Sequence, residues 1–270
     1  MVIDVHFHGP LTDGVAANDL PGDCFADAGS IARHFNGIGI DRVVVSGNPV
    51  LWSERGNRLD DMLAMNVWIR QACVSWPDVF LPTVVTNPHY ADASREQIDE
   101  MVDSCGARML SELCQFLQHF DDDDRRVEPI INRAAERGLP VLWHCSDRQH
   151  IDGLMRLAGR MPHARFIMAH MGGMNQNAWA YGVEQAARHL ESHDNLWLDT
   201  SGGVLFRLGP LERAIGILGA ERILFGVDFW FWDPAAGLAR IRHADIPGQA
   251  KRLILGENAR SLLALDTKVL

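Results

Sequence analysis

Residues 139–170 read LPVLWHCSDRQHIDGLMRLAGRMPHARFIMAH. Two short apolar runs of strand length, LPVLWH (139–144) and RFIMAH (165–170), flank a stretch of different periodicity. Between them Ile151, Leu154, Met155 and Ala158 recur at i, i+3, i+4 and i+7, the spacing of one helix face. Strand, helix and strand in about thirty residues is the repeating unit of a parallel sheet. Working outward, six more runs repeat the rhythm: VIDVH (2–6), RVVVS (42–46), VFLPTVV (79–85), ARMLSE (107–112), NLWLDT (195–200) and RILFGVD (222–228).

The intervening segments predict helices. Val127, Ile130, Ile131, Ala134 and Ala135 keep one face, with Gly138 after them; Leu211, Ala214, Ile215 and Leu218 do the same before Gly219. Leu59, Met62, Leu63 and Val67 follow Asn57, and Ile98, Met101 and Val102 follow Ser94-x-x-Gln97, a capping-box pattern closed by Gly106. Eight strands alternating with helices predict one (β/α)8 TIM barrel, a single domain over 1–270. An open doubly wound sheet would need a Gly-rich phosphate loop after an early strand, and no such loop is present.

Composition narrows the function. Apolar residues are 47% of the chain, which excludes a disordered protein. Asp plus Glu number 35 against 25 Lys plus Arg, a net charge of −10 that argues against nucleic acid or an anionic membrane as partner. Apolar runs stop at about seven residues, short of a membrane span. The start, MVIDVHFHGP, lacks the basic and apolar regions of a secretory signal. Five cysteines (Cys24, Cys73, Cys105, Cys114, Cys145) form no C-x-x-C pair, which suits a reducing cytoplasm.

Barrel chemistry sits at the carboxyl ends of the strands. The run ends are His6 with His8, Ser46, Val85 to Thr86, Glu112, His144, His170, Thr200 with Ser201, and Asp228. In an extended strand His6 and His8 point to one side and can reach one ion, while Phe7 turns into the packing behind.

With these ends in place the chain resembles the amidohydrolase superfamily, and most closely its compact branch of hydrolases and non-oxidative decarboxylases. The resemblance rests on IDVHFHG (3–9), LPVLWHCS (139–146), FIMAHMGG (166–173), LDTSGG (198–203), ILFGVDF (223–229) and ILGENARSLLAL (254–265), with MNVWIRQACVSWPDVFLPTVVTNP (65–88) similar to that branch's second helix and third strand. It implies His6, His8, His144 and Asp228 as metal ligands. It implies His170 as a ligand in two-metal members or an outer histidine in one-metal members. Glu112 stands where other members have a carboxylated lysine and resembles the bridging glutamate of TatD-type members. A homodimer is a further family-level expectation.

Imidazole and carboxylate ligands suit Zn first, with Mn, Fe or Co as alternatives, in one or two ions. A bound divalent ion lowers the pKa of its water towards ~7. Asp228 can then ligate through one oxygen and take the water proton through the other, with His170 as electrophile or proton shuttle. The resulting expectation is a metal-dependent hydrolase of an amide, lactone or ester in a small molecule. The alternative is a metal-dependent decarboxylase of a small unsaturated or aromatic carboxylic acid, and a non-catalytic ligand-binding barrel is a third reading. Glu112 tilts towards hydrolysis; pairing with Arg108 is its structural alternative.

Other features are weaker. Asp121 to Asp124 read as a solvated helix start. Trp230 and Trp232, and less so Trp52 and Trp179, are candidate pocket walls. Ser201-Gly202-Gly203 offers a hydroxyl and close backbone approach; Arg55, Arg58 and Arg207 are candidate carboxylate holders read first as surface residues. Cys145 has no base partner and reads as packing.

Overall fold

The structure, a computed structural model, describes residues 1–9, 27–48, 53, 56–173, 176–202, 207–229 and 231–266. Trp52, Arg55, Gly203, Trp230 and Cys24 lie outside the described residues. Eight parallel strands pair in sequence order: β1 (Ile3–His8), β2 (Arg42–Ser46), β3 (Phe80–Val84), β4 (Met109–Leu113), β5 (Val141–Trp143), β6 (Phe166–Met168), β7 (Leu196–Asp199) and β8 (Ile223–Leu224). β8 is shorter than its apolar run, but the chain after it follows β1. Val5 N–H donates to the Phe225 carbonyl (3.0 Å), Asp228 N–H to that of His6 (2.7 Å) and His8 N–H to that of Phe229 (3.2 Å). These bonds close the sheet into the (β/α)8 barrel.

The longer helices of the outer ring are α1 (Ala28–Ile38), α2 (Leu59–Ser75), α3 (Ala91–Cys105), α4 (Val127–Glu136), α5 (Arg148–Arg160), α6 (Gln176–Leu190), α7 (Pro210–Leu218) and α8 (Pro234–Arg242). Several of their ends are set by local capping. Asp27 caps α1 by accepting from Ser30 N–H (2.7 Å), and Gly39 ends it at φ 89°. Asp147 caps α5 through His150 N–H (3.1 Å).

Two local expectations are corrected. α3 begins at Ala91, so Ser94 is not its cap. Ser94 is buried one turn in, and its hydroxyl accepts from Asn87 N–H (3.0 Å) and donates to the Asn87 carbonyl (3.1 Å). In α2 the buried face is Met62, Met65, Asn66, Ile69 and Ala72, while Val67 is exposed. The polar Asn66 belongs to that face because its amide bonds the Val85 backbone on both sides, at 2.8 and 3.1 Å.

Two cores result. Ile3, Val5, Val44, Met109, Ile167 and Leu224 fill the barrel interior and meet Ala259 and Leu262 of the C-terminal helical stretch, which plugs the end opposite the histidines. Phe7, Val45, Leu110, Trp143, Phe166 and Leu198 pack outward against the helices. Phe7 is fully buried, stacked on Phe229 with centroids 4.9 Å apart and edge-on to Phe35 at 5.4 Å.

The barrel is irregular where it matters. Between Asp4 and Phe7, β1 carries one residue more than β2 opposite; between Leu110 and Leu113, β4 does the same against β5. Such bulges re-aim side chains. On β1, Val5 stays in the interior core while both His6 and His8 are turned to the site. The bulge frees backbone donors, and the buried Asp4 Oδ1 accepts them from His6 N–H (3.0 Å) and Val227 N–H (3.1 Å). Burial outweighs these bonds and raises the Asp4 carboxyl to about 7.

Candidate metal centre

The structure brings His6, His8, Glu112, His144, His170 and Asp228 to one end of the barrel, all of them buried. β1 delivers His6 and His8 with their Nε2 atoms 3.2 Å apart. The bulge of β4 delivers Glu112, whose Oε2 lies 3.4 Å from His8 Nε2 and whose Oε1 lies 2.9 Å from His144 Nδ1. His144 follows β5, and its Nδ1 is also 3.3 Å from His170 Nε2. Arg108, the alternative partner of Glu112, instead reaches the Ala264 carbonyl at 3.2 Å.

Two of the six residues hold left-handed backbone conformations without being glycine: His170 at φ 59° and Asp228 at φ 62°. Each such position costs about 1–3 kcal/mol and persists only when the surroundings enforce it. At Asp228 the enforcement is the backbone bond to His6. It leaves Oδ1 3.3 Å from His8 and 3.6 Å from His6, with Oδ2 4.0 Å from His170 Nδ1. One carboxylate oxygen therefore faces the paired imidazoles and the other faces His170.

β7 ends at Asp199, one residue before the Thr200 and Ser201 expected from the sequence. Asp199 is fully buried; Oδ2 accepts from His6 Nδ1–H (2.7 Å), and Oδ1 accepts from the backbone N–H of His170 and of Ser201, both 2.9 Å. Ser201 Oγ donates to the same oxygen and accepts from His170 Nδ1–H (2.8 Å). These partners assign the Nδ1–H tautomer to both His6 and His170, leaving both Nε2 lone pairs for the centre. His8 is fixed likewise, its Nδ1–H donating to the Gly47 carbonyl (2.8 Å). A lone carboxylate inside an otherwise apolar strand run was the available signal. Gly226 completes the wall, since a Cβ there would stand 2.9 Å from that of His6.

This donor set fits a divalent cation. Two Nε2 lone pairs face each other at 3.2 Å, while Glu112 and Asp228 bring negative charge into the same buried volume. Something positive must sit among them. Without metal the imidazoles supply it: burial lowers the His6 pKa, but Asp199, Asp228 and Glu112 outweigh it and raise it to about 9. His8 is likewise pulled down by burial but held at about 10 by Asp228 and Glu112. Burial pushes His170 the other way, to about 4, so it stays neutral. Burial would raise Glu112, yet His144, His8 and His6 hold it well below the usual carboxylate range. His144 Nε2 is buried with no hydrogen-bond partner. Three donor triads fall within coordination reach: His6–His8–Asp228, His6–Glu112–His170 and Glu112–Cys114–His144.

The weaker candidates resolve differently. Asp122 is buried against the Gln115 amide (2.8 Å), Asp123 pairs with Arg156 and Asp124 with Arg126, so this run ties loops to helices. Trp179 packs on the outer core beneath the Arg213 guanidinium. Arg58 pairs with Asp61. Cys145 is fully buried and burial drives its thiol well above the usual range, as suits a packing residue. Among the described residues, no helix is long and apolar enough to cross a membrane.

Comparison with known proteins places the chain in a wider group. No curated protein matches the chain. Among solved structures, 2,6-dihydroxybenzoate decarboxylase from Rhizobium is 20% identical, with a TM-score of 0.72 over 98% of this chain and 99% of that one. The 5-carboxyvanillate decarboxylase of Sphingomonas paucimobilis is 18% identical, TM-score 0.71, over 97% and 98%. A dihydroxybenzoic acid decarboxylase from Polaromonas, solved with bound manganese and the inhibitor 2-nitroresorcinol, is 18% identical, TM-score 0.74, over 99% and 98%. At these identities the likeness is one of fold. The family model for amidohydrolases matches residues 3–265, nearly the whole chain, and the protein therefore belongs to the amidohydrolase family.

Proposed function

We propose that the protein is a metal-dependent, non-oxidative decarboxylase of a small aromatic or unsaturated carboxylic acid. The observation that carries this reading is the end-to-end likeness to decarboxylases of hydroxylated benzoates, at 97–99% coverage of both chains. It shifts the balance from hydrolysis, towards which Glu112 tilted the sequence. His6, His8 and Asp228 would hold the cation, with Glu112 and His144 beside them. A divalent cation there supplies positive charge that orients and polarises substrate oxygens.

The chain's own groups do the rest. Decarboxylation replaces a carboxylate by a proton: the C–C bond breaks, carbon dioxide leaves, and the ring carbon takes up H⁺. Asp228 Oδ2, turned from the paired histidines towards His170, is the atom we assign to carry that proton. His170, kept neutral by burial and held through Nδ1 by Ser201, borders Asp228 Oδ2 through that Nδ1 at 4.0 Å and is the second group we assign to the proton transfer. Phe116, three residues past β4 in the one-turn helix Gln115–Gln118, is 54% exposed with its ring 5.2 Å from that of His144, and gives the mouth an aromatic wall.

The test is carbon dioxide release from a panel of hydroxylated benzoates, including 2,6-dihydroxybenzoate and 5-carboxyvanillate, by manganese-loaded protein. Release that depends on Asp228 supports the reading. Hydrolysis of lactones, esters or amides with no carbon dioxide from any acid would establish the second reading. That one is favoured by Glu112, whose two oxygens face separate donor sets as a bridging carboxylate requires.

A further inference from the structure

We propose that Glu112, Cys114 and His144 form a second cation subsite, bearing a thiolate, beside the His6–His8–Asp228 set. The inference rests on the metal-centre reading above and extends it to a ligand type absent from the sequence expectation. One ligand atom from each residue lies within 4.8 Å of the others. All three are buried, Cys114 to 1% exposure. Cys114 continues β4 in extended conformation (φ −119°, ψ 101°), two residues beyond Glu112, and such spacing puts both side chains on one side of the chain.

Two further features separate this cysteine from packing cysteines. His144 supplies a nitrogen, Nε2, that is buried without a partner. Glu112 turns one oxygen to His8 and the other to His144, so one carboxylate can serve both sets. A cation takes Cys114 as its thiolate, the form of cysteine that ligates metals. Binding therefore breaks the S–H bond, forms a metal–sulfur bond and releases one proton to the buffer; no oxidant or reductant takes part. A sulfur, nitrogen and oxygen set selects a borderline-soft ion, Zn(II) or Co(II), over Mg(II) or Mn(II).

Cobalt(II) titration of the metal-free full chain tests this without any substrate. Visible d–d bands report cobalt in a protein site of any kind. A sulfur-to-cobalt charge-transfer band in the near ultraviolet reports the thiolate. The expected result is both signals in the wild type. Cys114→Ser should lose the charge-transfer band and about one equivalent of metal while keeping d–d bands; Cys145→Ser should keep everything. Absence of the charge-transfer band from cobalt-saturated wild type, or its survival in Cys114→Ser, would overturn the proposal. Should Cys114→Ser not fold, the wild-type spectrum alone still decides. Complete absence of d–d bands would instead remove the metal centre itself.

Discussion

Asp199→Asn is the sharpest probe of the metal centre, because the structure dictates how the new amide must lie. Oδ1 of Asp199 accepts from two backbone N–H groups, those of His170 and Ser201, both at 2.9 Å. An amide NH₂ placed there would face two donors. The asparagine must therefore keep its oxygen at that position and turn its NH₂ towards His6 Nδ1, where Oδ2 now accepts at 2.7 Å. A donor at that place forces the His6 proton onto Nε2 and removes the lone pair that faces His8. Losing a carboxylate partner of a ligating histidine typically costs 10–100-fold in metal affinity, about 1.4–2.7 kcal/mol. The inverted tautomer puts this variant at the upper end, about 100-fold.

The assay is competition for Zn(II) or Mn(II) against a chromophoric chelator, with thermal unfolding run in parallel to confirm the fold. Nitrogen NMR of the zinc-loaded wild type should report Nδ1–H, with Nε2 unprotonated, at His6. A folded Asp199→Asn variant that binds metal within about threefold of wild type would refute the tautomer argument, as would a wild-type His6 protonated only at Nε2.

Other outcomes follow from the same geometry. Glu112→Gln should lower cobalt or zinc content from two ions towards one; unchanged content in a folded variant would remove the shared-carboxylate arrangement. Phe7→Ala, which empties a fully buried aromatic site, should cost about 3–5 kcal/mol in denaturant unfolding, and a loss under about 1 kcal/mol would contradict the packing described. Asp228→Asn should retain most of the metal and lose on the order of 10²-fold or more in turnover on an identified substrate. Asp99, held below the usual carboxylate range by its bonds to Arg133 and Arg137, ties α3 to α4. Because its folded pKa is depressed, its contribution is present above the unfolded value near 4 and is lost as pH falls through the lower folded value. The pair is partly exposed and screened, so Asp99→Asn should cost about 1 kcal/mol or less at pH 7, with the gap closing below about pH 4.

The alternation of apolar runs with helical faces carried the barrel, because strand and helix periods differ enough to read directly. The strand-end rule then placed six of the site's side chains. It missed Asp199 by one residue, since NLWLDT does not announce where β7 stops pairing. The role proposed for Cys114 has no sequence signal, because a thiol two residues past a strand glutamate looks like any small packing residue. Ser94 misled because its capping-box spacing is genuine, yet Asn87 captures the hydroxyl and lets the helix begin earlier. In α2, burial of Asn66 and exposure of Val67 follow from a backbone contact with Val85 that no hydropathy pattern encodes.

What no period can reveal is that the centre is assembled at departures from regularity. A straight β1 would alternate strictly and leave Val5, Phe7 and His6, His8 on opposite faces; it could not place Val5 in the core and His6 in the site together. The extra residue between Asp4 and Phe7 permits both, at the expense of unpaired backbone donors that the buried Asp4 carboxylate then accepts. The extra residue on β4 performs the same service for Glu112. At His170 and Asp228 the departure is a left-handed backbone, held at one by Asp199 and at the other by the His6 carbonyl. Two of these four distortions are thus pinned to His6, directly or through the carboxylate that also fixes its ring. Restraint of one imidazole and restraint of the backbone around it are therefore the same set of bonds, which is why a single-atom change at Asp199 should reach the metal affinity of the whole centre.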